Sequence, residues 1–154
     1  MEHNPTISDY WLFSVLVVDD LNANSQNPAR EQRPITVVII DPSPVFRRTL
    51  RKMIRDRIPN VNIAETDDFE QARKIMEIEP PGVVFLDIAI FPNNCIDHIR
   101  SIKNQQPGSV IIVLTTHDSA EHKAAFLEYG ADYFFSKTNT PSSSLINMIE
   151  KSFS

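Results

Sequence analysis

The strongest constraint in this sequence is a repeated alternation of short apolar segments with segments of helical periodicity, which begins at Ile35. Short continuous apolar runs are typical of strands that are covered on both faces. Strands alternating with helices predict a parallel sheet with right-handed crossovers. The sequence therefore predicts an α/β fold with a doubly wound, five-stranded parallel sheet and helices on both faces. The predicted strands cover residues 35–40, 61–64, 83–86, 110–114 and 133–135.

Residues that favour helix ends separate these elements. Ser43 and Pro44 are typical of a helix N-cap and of the first helical position. Pro59 ends that helix, and either Asp67 or Asp68 is placed to cap the next one. Gly130 follows a helical segment, where a C-terminal glycine is expected.

The first 34 residues differ in character from the rest. We predict an N-terminal extension over residues 1–34 and a domain over residues 35–154. The centre of the extension, residues 11–18, is apolar, and the following stretch up to Pro34 has the polar, proline-containing composition of a linker. Because an apolar run has to be buried, we expect it to add a strand to a sheet edge or to pack against a second subunit, as in a homodimer.

Composition excludes several classes of protein. The net charge of −5 argues against direct binding of nucleic acid by this chain. No apolar run approaches the roughly 18–20 residues of a membrane helix, and the N-terminus lacks the basic start of a signal peptide. The single cysteine, Cys95, precludes an intramolecular disulfide, and we interpret it as structural. We therefore expect a cytoplasmic protein without a membrane partner.

Polar residues with useful chemistry follow four of the five predicted strands. They are Asp41, Asp87, Thr115 and Lys137. The carboxyl ends of parallel strands share one edge of the sheet, where open α/β sheets bind their ligands. We therefore expect these four residues to converge in space.

This set of residues suits phosphoryl transfer. A carboxylate such as Asp87 can attack phosphorus and form an acyl phosphate. Lys137 can supply positive charge to the transferring group, and the Thr115 hydroxyl can donate a hydrogen bond to it. Asp41 can help to hold Mg²⁺, a hard cation that favours carboxylates and keeps some of its waters.

The order and spacing of these residues resemble the receiver domain of bacterial response regulators. Asp87 lies 46 residues after Asp41, Thr115 lies 28 after Asp87, and Lys137 lies 22 after Thr115. The resemblance covers about residues 35–154. It is carried also by Pro44-Val45-Phe46-Arg47-Arg48-Thr49-Leu50, Leu86-Asp87-Ile88 and Glu128-Tyr129-Gly130-Ala131-Asp132-Tyr133. It implies a flavodoxin-like sheet with strand order 2-1-3-4-5.

The resemblance also implies roles for individual residues. Asp87 is then the phosphoacceptor, with Thr115 and Lys137 assisting the reaction. Mg²⁺ is held by Asp41, Asp87 and the main-chain carbonyl of Ala89.

The same resemblance implies a switch and a partner. Thr115 and Phe134 occupy the switch positions, and phosphorylation shifts the surface of the fourth helix and fifth strand between two states. The phosphoryl donor is a histidine kinase or a histidine phosphotransfer protein. The chain itself is then not an enzyme in the usual sense.

One departure from the family pattern bears on the metal. Pro42 stands where the family usually carries a second acid that binds the ion directly. Asp41 and Asp87 can still hold the ion with more water, or the chain is the alternative, a pseudo-receiver that acts as a phosphorylation-independent interaction or dimerisation module. A third candidate is a haloacid-dehalogenase-like phosphatase, but that family requires Asp-x-Asp after its first strand, which Asp41-Pro42-Ser43 does not supply.

Two further features allow more than one interpretation. Asp19 and Asp20 follow an apolar run in the extension and resemble an intact acidic pair, but Asp19 lies 68 residues before Asp87, outside the pattern. The first helix is strongly basic and represents either a solvated face or a docking face for an acidic partner. Its basic residues are Arg47, Arg48, Arg51, Lys52, Arg55 and Arg57.

Overall fold

A five-stranded parallel sheet in the order β2-β1-β3-β4-β5 forms the centre of the fold. The computed structural model describes residues 33–91, 93–116 and 119–153. The predicted fold class and strand order are confirmed. The strands are β1 (Ile35–Ile40), β2 (Val61–Thr66), β3 (Val83–Asp87), β4 (Val110–Thr115) and β5 (Tyr133–Ser136).

A helix follows every strand, and the helices cover both faces of the sheet. The helices are α1 (Pro44–Arg57), α2 (Phe69–Ile78), α3 (Cys95–Gln105), α4 (Ala120–Glu128) and α5 (Ser142–Ser152). A short 3-10 turn, Ile88–Ile90, also lies between β3 and α3, and the sequence pattern did not indicate it.

Local side-chain chemistry sets the helix ends. The Ser43 hydroxyl accepts a hydrogen bond from the Phe46 amide at 3.2 Å, and Pro44 occupies the first turn, as predicted for α1. Asp68, not Asp67, caps α2 by accepting hydrogen bonds from the amides of Glu70 and Gln71. Helices α1 and α2 therefore begin where a short polar side chain satisfies their first amides.

Strand β2 is longer than predicted. Apolar character ends at Ala64, but the strand continues to Thr66, because Glu65 and Thr66 pair with Ile39 and Ile40 of β1. Strand β2 lies at the edge of the sheet, and its polar residues Asn62 and Glu65 are only half-buried. Backbone pairing therefore extends the element beyond its hydrophobic signal.

The core divides between the two faces of the sheet. Alternate residues of the central strands pack with α1 and α5 in one cluster, which contains Val37, Ile39, Leu50, Ile54, Val83, Phe85, Ile112, Leu114, Leu145, Met148 and Ile149. The intervening strand residues, such as Val38, Val84 and Ile111, are also fully buried. They point to the opposite face, which α2, α3 and α4 cover with residues including Ile75, Ile99 and Phe126. The central strands are therefore shielded from water on both sides.

All but the last two residues of the predicted extension, 1–34, lie outside the described residues. Residues 34–153 lie within one compact unit. The boundary between residues 34 and 35, the proposed burial of residues 11–18 and the interpretation of Asp19 and Asp20 remain predictions. Within the part of the chain that the structure describes, no helix combines the length and apolar character that a membrane crossing requires.

Gly130 gives a direct test of this backbone. Its φ of +121° is unfavourable for any side chain, and an added Cβ would lie 3.3 Å from the Cβ of Lys103. We expect Gly130→Ala to lower the free energy of unfolding by about 1–3 kcal/mol in urea denaturation. Gly108→Ala is the control, because an added Cβ there meets nothing within 4 Å. Equal stability of the two variants would contradict the assignment of strain to Gly130.

Candidate functional site

Three predicted site residues lie buried at the carboxyl edge of the sheet. Asp41 directly follows β1, and Asp87 and Thr115 are the last residues of β3 and β4. Their exposed fractions are only 1%, 3% and 1%. Because β3 pairs with both β1 and β4, the topology brings together residues that are far apart in the sequence.

Lys137 joins the two aspartates. Its Nζ lies 2.6 Å from Oδ2 of Asp41 and 2.5 Å from Oδ2 of Asp87. Its side chain is only 10% exposed. Such ion pairs are short, and removing Lys137 would leave two buried carboxylates without a counter-charge. The ammonium therefore holds together two carboxylates that would otherwise repel each other.

Local turns orient the other oxygen of each carboxylate. Oδ1 of Asp41 accepts a hydrogen bond from the Ser43 amide at 2.8 Å, and Oδ1 of Asp87 accepts one from the Ala89 amide at 2.7 Å. Both are side-chain-to-backbone turns of the kind that aspartate favours. Each carboxylate thus presents its Oδ2 to the shared lysine. The hydrogen bond from its amide places Ala89 beside the Asp87 carboxylate. The resemblance to receiver domains implies this location, because it makes the Ala89 carbonyl a metal ligand.

Two residues of the first turns of α1 contact the site, although the sequence analysis did not assign them to it. Nζ of Lys137 lies 4.0 Å from the centroid of the Phe46 ring. Nη1 of Arg47 donates a hydrogen bond to the main-chain carbonyl of Asp41 at 2.6 Å. The helical periodicity of α1 places Phe46 on its apolar face, and no sequence signal distinguishes it from an ordinary core residue. Only the tertiary structure brings its ring to the lysine.

Burial dominates the electrostatics of Asp41. Desolvation raises the pKa of its carboxyl above the ordinary value of 3.8, while the hydrogen bonds from Lys137 and Ser43 oppose the rise and the charge of Asp87 adds to it. Holding Asp41 ionised therefore requires a nearby positive charge. Lys137 is the cation that contacts both carboxylates, and it can neutralise only one of them at a time.

Cys95 lies close enough to this cluster to be affected by it. Burial, with a further contribution from the charge of Asp87, raises the pKa of its thiol to about 12. At neutral pH the thiol is therefore protonated and is a poor nucleophile.

The two predicted switch residues are both buried. The main-chain oxygen of Thr115 accepts a hydrogen bond from the Lys137 amide at 2.7 Å, which connects the ends of β4 and β5. Phe134 is 8% exposed and stacks on Phe126 of α4, with 5.8 Å between ring centroids. A path of contacts therefore runs from the carboxylates through β5 to α4.

The donor set fits a Mg²⁺ ion that retains much of its water. Asp41 and Asp87 place two carboxylates together, and Mg²⁺ in proteins is commonly held by one or two carboxylates with waters and phosphate oxygens. Across residues 33–91, 93–116 and 119–153, no group of three or more His, Cys, Asp or Glu side chains is placed to hold a metal. Glu65 does not replace the missing acid at Pro42, because it is paired with Arg51 at 2.9 Å.

Comparisons with known proteins identify the family of this chain. The family model described as "Response regulator receiver domain" matches residues 37–150. The probable transcriptional regulatory protein TcrX of Mycobacterium tuberculosis is 27% identical over 68% of this chain and 44% of its own length. A protein-glutamate methylesterase/protein-glutamine glutaminase of Pyrococcus abyssi is 35% identical over 77% of this chain and 32% of its own length.

A solved structure shows the same fold. The signal receiver domain of a DNA-binding response regulator from Colwellia psychrerythraea superposes with a TM-score of 0.70 at 18% identity, over 76% of this chain and 96% of that chain. The match to TcrX and the match to the methylesterase each span less than half of the relative's length. The family match covers most of the described residues and includes all four strand-end positions. This chain belongs to the response regulator receiver domain family of two-component signalling.

Proposed function

We propose that this chain accepts a phosphoryl group on Asp87 and thereby switches a protein-interaction surface. The observation that carries the proposal is the buried cluster in which Lys137 contacts both Asp87 and Asp41, at 2.5 Å and 2.6 Å. This cluster offers a fixed carboxylate nucleophile beside a cation that can stabilise transferring negative charge. The proposed donor is a histidine kinase or a histidine phosphotransfer protein.

The proposed reaction is an in-line displacement at phosphorus. Oδ2 of Asp87 forms the new O–P bond while the P–N bond to the donor's imidazole breaks, and that electron pair returns to the nitrogen. Lys137 then exchanges its contact with Asp87 for a contact with a phosphoryl oxygen, and the Thr115 hydroxyl donates to another. The Asp87 carboxylate is held in one orientation by the Ala89 amide, which lowers the entropic cost of reaching the transition state.

Asp41, Asp87 and the main-chain carbonyl of Ala89 are the proposed ligands of Mg²⁺. When bound, the ion supplies positive charge against the phosphoryl oxygens. The shared contact supports this assignment, because a single ammonium cannot neutralise two ionised carboxylates.

The proposed switch uses Thr115 and Phe134. Drawing the Thr115 side chain toward a phosphoryl group moves the end of β4, to which the Lys137 amide is bonded. Phe134 can respond because it lies in β5, three residues before Lys137, and stacks on Phe126 of α4. The phosphoryl group thus favours one of two packings of the α4 and β5 surface.

One observation favours the second candidate, a pseudo-receiver that works without phosphorylation. Pro42 is exposed and supplies no carboxylate, and Glu65 is committed to Arg51. Such a module acts by binding a partner or by forming a homodimer. The two candidates differ in one measurable property, which is whether Mg²⁺ supports modification of Asp87.

We further propose that this chain has no enzymatic activity of its own and does not bind nucleic acid directly. The basic face of α1 supports the second point, because several of its cations already have carboxylate partners: Arg51 with Glu65, Lys52 with Asp56, and Arg57 with Glu150. This pairing favours the interpretation of α1 as a solvated, ion-paired face.

The primary test is intact-mass spectrometry after incubation with Mg²⁺ and a small phosphodonor such as acetyl phosphate. We expect one phosphoryl adduct on the wild-type chain and none on Asp87→Asn, because the amide is not a nucleophile. Asp97→Asn, an exposed aspartate on α3, is the control and keeps the adduct. An adduct that survives in Asp87→Asn would assign the acceptor to another residue, and none on the wild type would favour the pseudo-receiver.

Restoring the second acid should strengthen metal binding. An added carboxylate about 4 Å from the ion contributes on the order of 1 kcal/mol per unit charge even at the dielectric of water. We therefore expect Pro42→Asp to lower the Mg²⁺ concentration for half-maximal phosphorylation roughly tenfold. The matched control is Pro42→Asn, which removes the proline without adding charge and should change this concentration much less. Equal effects of Asp and Asn would show that backbone freedom, not ligand charge, limits the wild-type chain.

The ionised Asp41 should reduce stability. The pKa of the Asp41 carboxyl in the folded state is raised above 3.8, so the folded state binds the carboxyl proton more tightly than the unfolded chain does. Loss of this proton therefore lowers the free energy of unfolding as pH rises above 3.8. We expect Asp41→Asn to melt at a higher temperature than the wild type at pH 7, with the difference shrinking as pH is lowered toward 3.8. Thermal unfolding followed by circular dichroism measures this difference in melting temperature. Asp56→Asn, at an exposed position, is the control, and a lower melting temperature for Asp41→Asn would refute this sign.

A further inference from the structure

The ammonium of Lys137 has three contacts. Two are the carboxylates of Asp41 and Asp87, and the third is the face of Phe46, whose centroid lies 4.0 Å from Nζ. An ammonium has three N–H donors in tetrahedral directions. Two of these N–H groups are directed at the carboxylates. The Phe46 ring lies on a remaining side of the ammonium, where water or a polar side chain would otherwise accept the third N–H. The face of an aromatic ring attracts a cation electrostatically, most strongly where water is excluded.

The position of this ring is fixed by the same loop that carries Asp41. The Phe46 amide donates to the Ser43 hydroxyl at 3.2 Å, and the Ser43 amide donates to Asp41 at 2.8 Å. The ring itself packs against the core cluster shared by α1 and α5. The backbone that orients the Asp41 carboxylate therefore also sets the surface on which the ammonium rests.

We propose that Phe46 is a positioning residue for Lys137 in phosphoryl transfer, an inference that rests on the proposed function. The ring attracts the cation without forming a directional hydrogen bond. Lys137 can therefore move from Asp87 to a phosphoryl oxygen while it stays on the same ring face. A polar residue at this position would retain the third N–H and oppose that movement, and an aliphatic residue would leave the cation without attraction on this side.

The effect of an aromatic face is separable from the effect of packing. Phe46→Leu keeps an apolar, helix-compatible residue but removes the ring, whereas Phe46→Tyr keeps the ring. Phe153→Leu makes the same change at another partly buried phenylalanine that packs against the same cluster. Phe153 therefore controls for the loss of aromatic volume from this side of the core.

Two measurements on the full chain test the inference. The first is the rate of phosphorylation by acetyl phosphate with Mg²⁺, followed by intact mass. We expect this rate to fall about tenfold in Phe46→Leu, in line with a desolvated cation–π contact, and to stay near the wild-type value in Phe46→Tyr and Phe153→Leu. The second is the NMR spectrum of the Lys137 side chain without phosphodonor, assigned with Lys137→Arg. The ring current should shift these resonances upfield in the wild type and in Phe46→Tyr, but not in Phe46→Leu.

The outcomes separate this inference from the proposed function. A wild-type rate in Phe46→Leu, or Lys137 resonances that do not move in that variant, overturns the role of Phe46 and leaves phosphorylation of Asp87 intact. Equal loss of rate in Phe46→Leu and Phe153→Leu also overturns it, because core packing would then explain both. A wild-type chain that takes no phosphoryl group refutes the proposed function and the inference together, even if NMR detects the contact.

Discussion

The contact of one lysine with two buried carboxylates is the interaction on which the carboxyl edge of this fold depends. Asp41 and Asp87 are nearly inaccessible to solvent, and both contact Lys137. Without that ammonium, two negative charges would share a desolvated pocket, and one would take up a proton. The two ion pairs of Lys137 therefore connect the end of β5 to the ends of β1 and β3. They also place a positive charge where the proposed phosphoryl transfer requires one.

The loop from β1 to α1 contributes both to the start of the helix and to the site. Ser43 caps the helix with its hydroxyl and orients Asp41 with its amide, and Arg47 bonds to the carbonyl of Asp41. Phe46, between them, contacts the lysine. Helix capping, carboxylate orientation and lysine placement thus depend on the same few residues. A change in this loop is expected to alter the site even when it removes no charged group.

Sequence reasoning located the strand-end residues but not their complete surroundings. Asp41, Asp87 and Lys137 were predictable because polar residues that end apolar strands must emerge at a common edge. The alternation of elements likewise predicted the sheet and its helices, and the resemblance supplied the strand order. The full length of β2 was not predictable, because its last residues are polar and are held in the strand by pairing with β1. The 3-10 turn after Asp87 was also missed, because three apolar residues there carry no signal of a turn.

By itself, the sequence determined the class of fold and the types of residue at its carboxyl edge. Those properties follow from local patterns in the sequence, which are apolar runs, helix caps and the polar residues that follow strands. Only the tertiary structure decided which oxygen meets which donor, that Phe46 faces Lys137, and that Glu65 is paired with Arg51 and does not replace the acid missing at Pro42. The physical reason is that these contacts join residues distant in the chain, and their geometry follows from the crossovers and packing of whole elements.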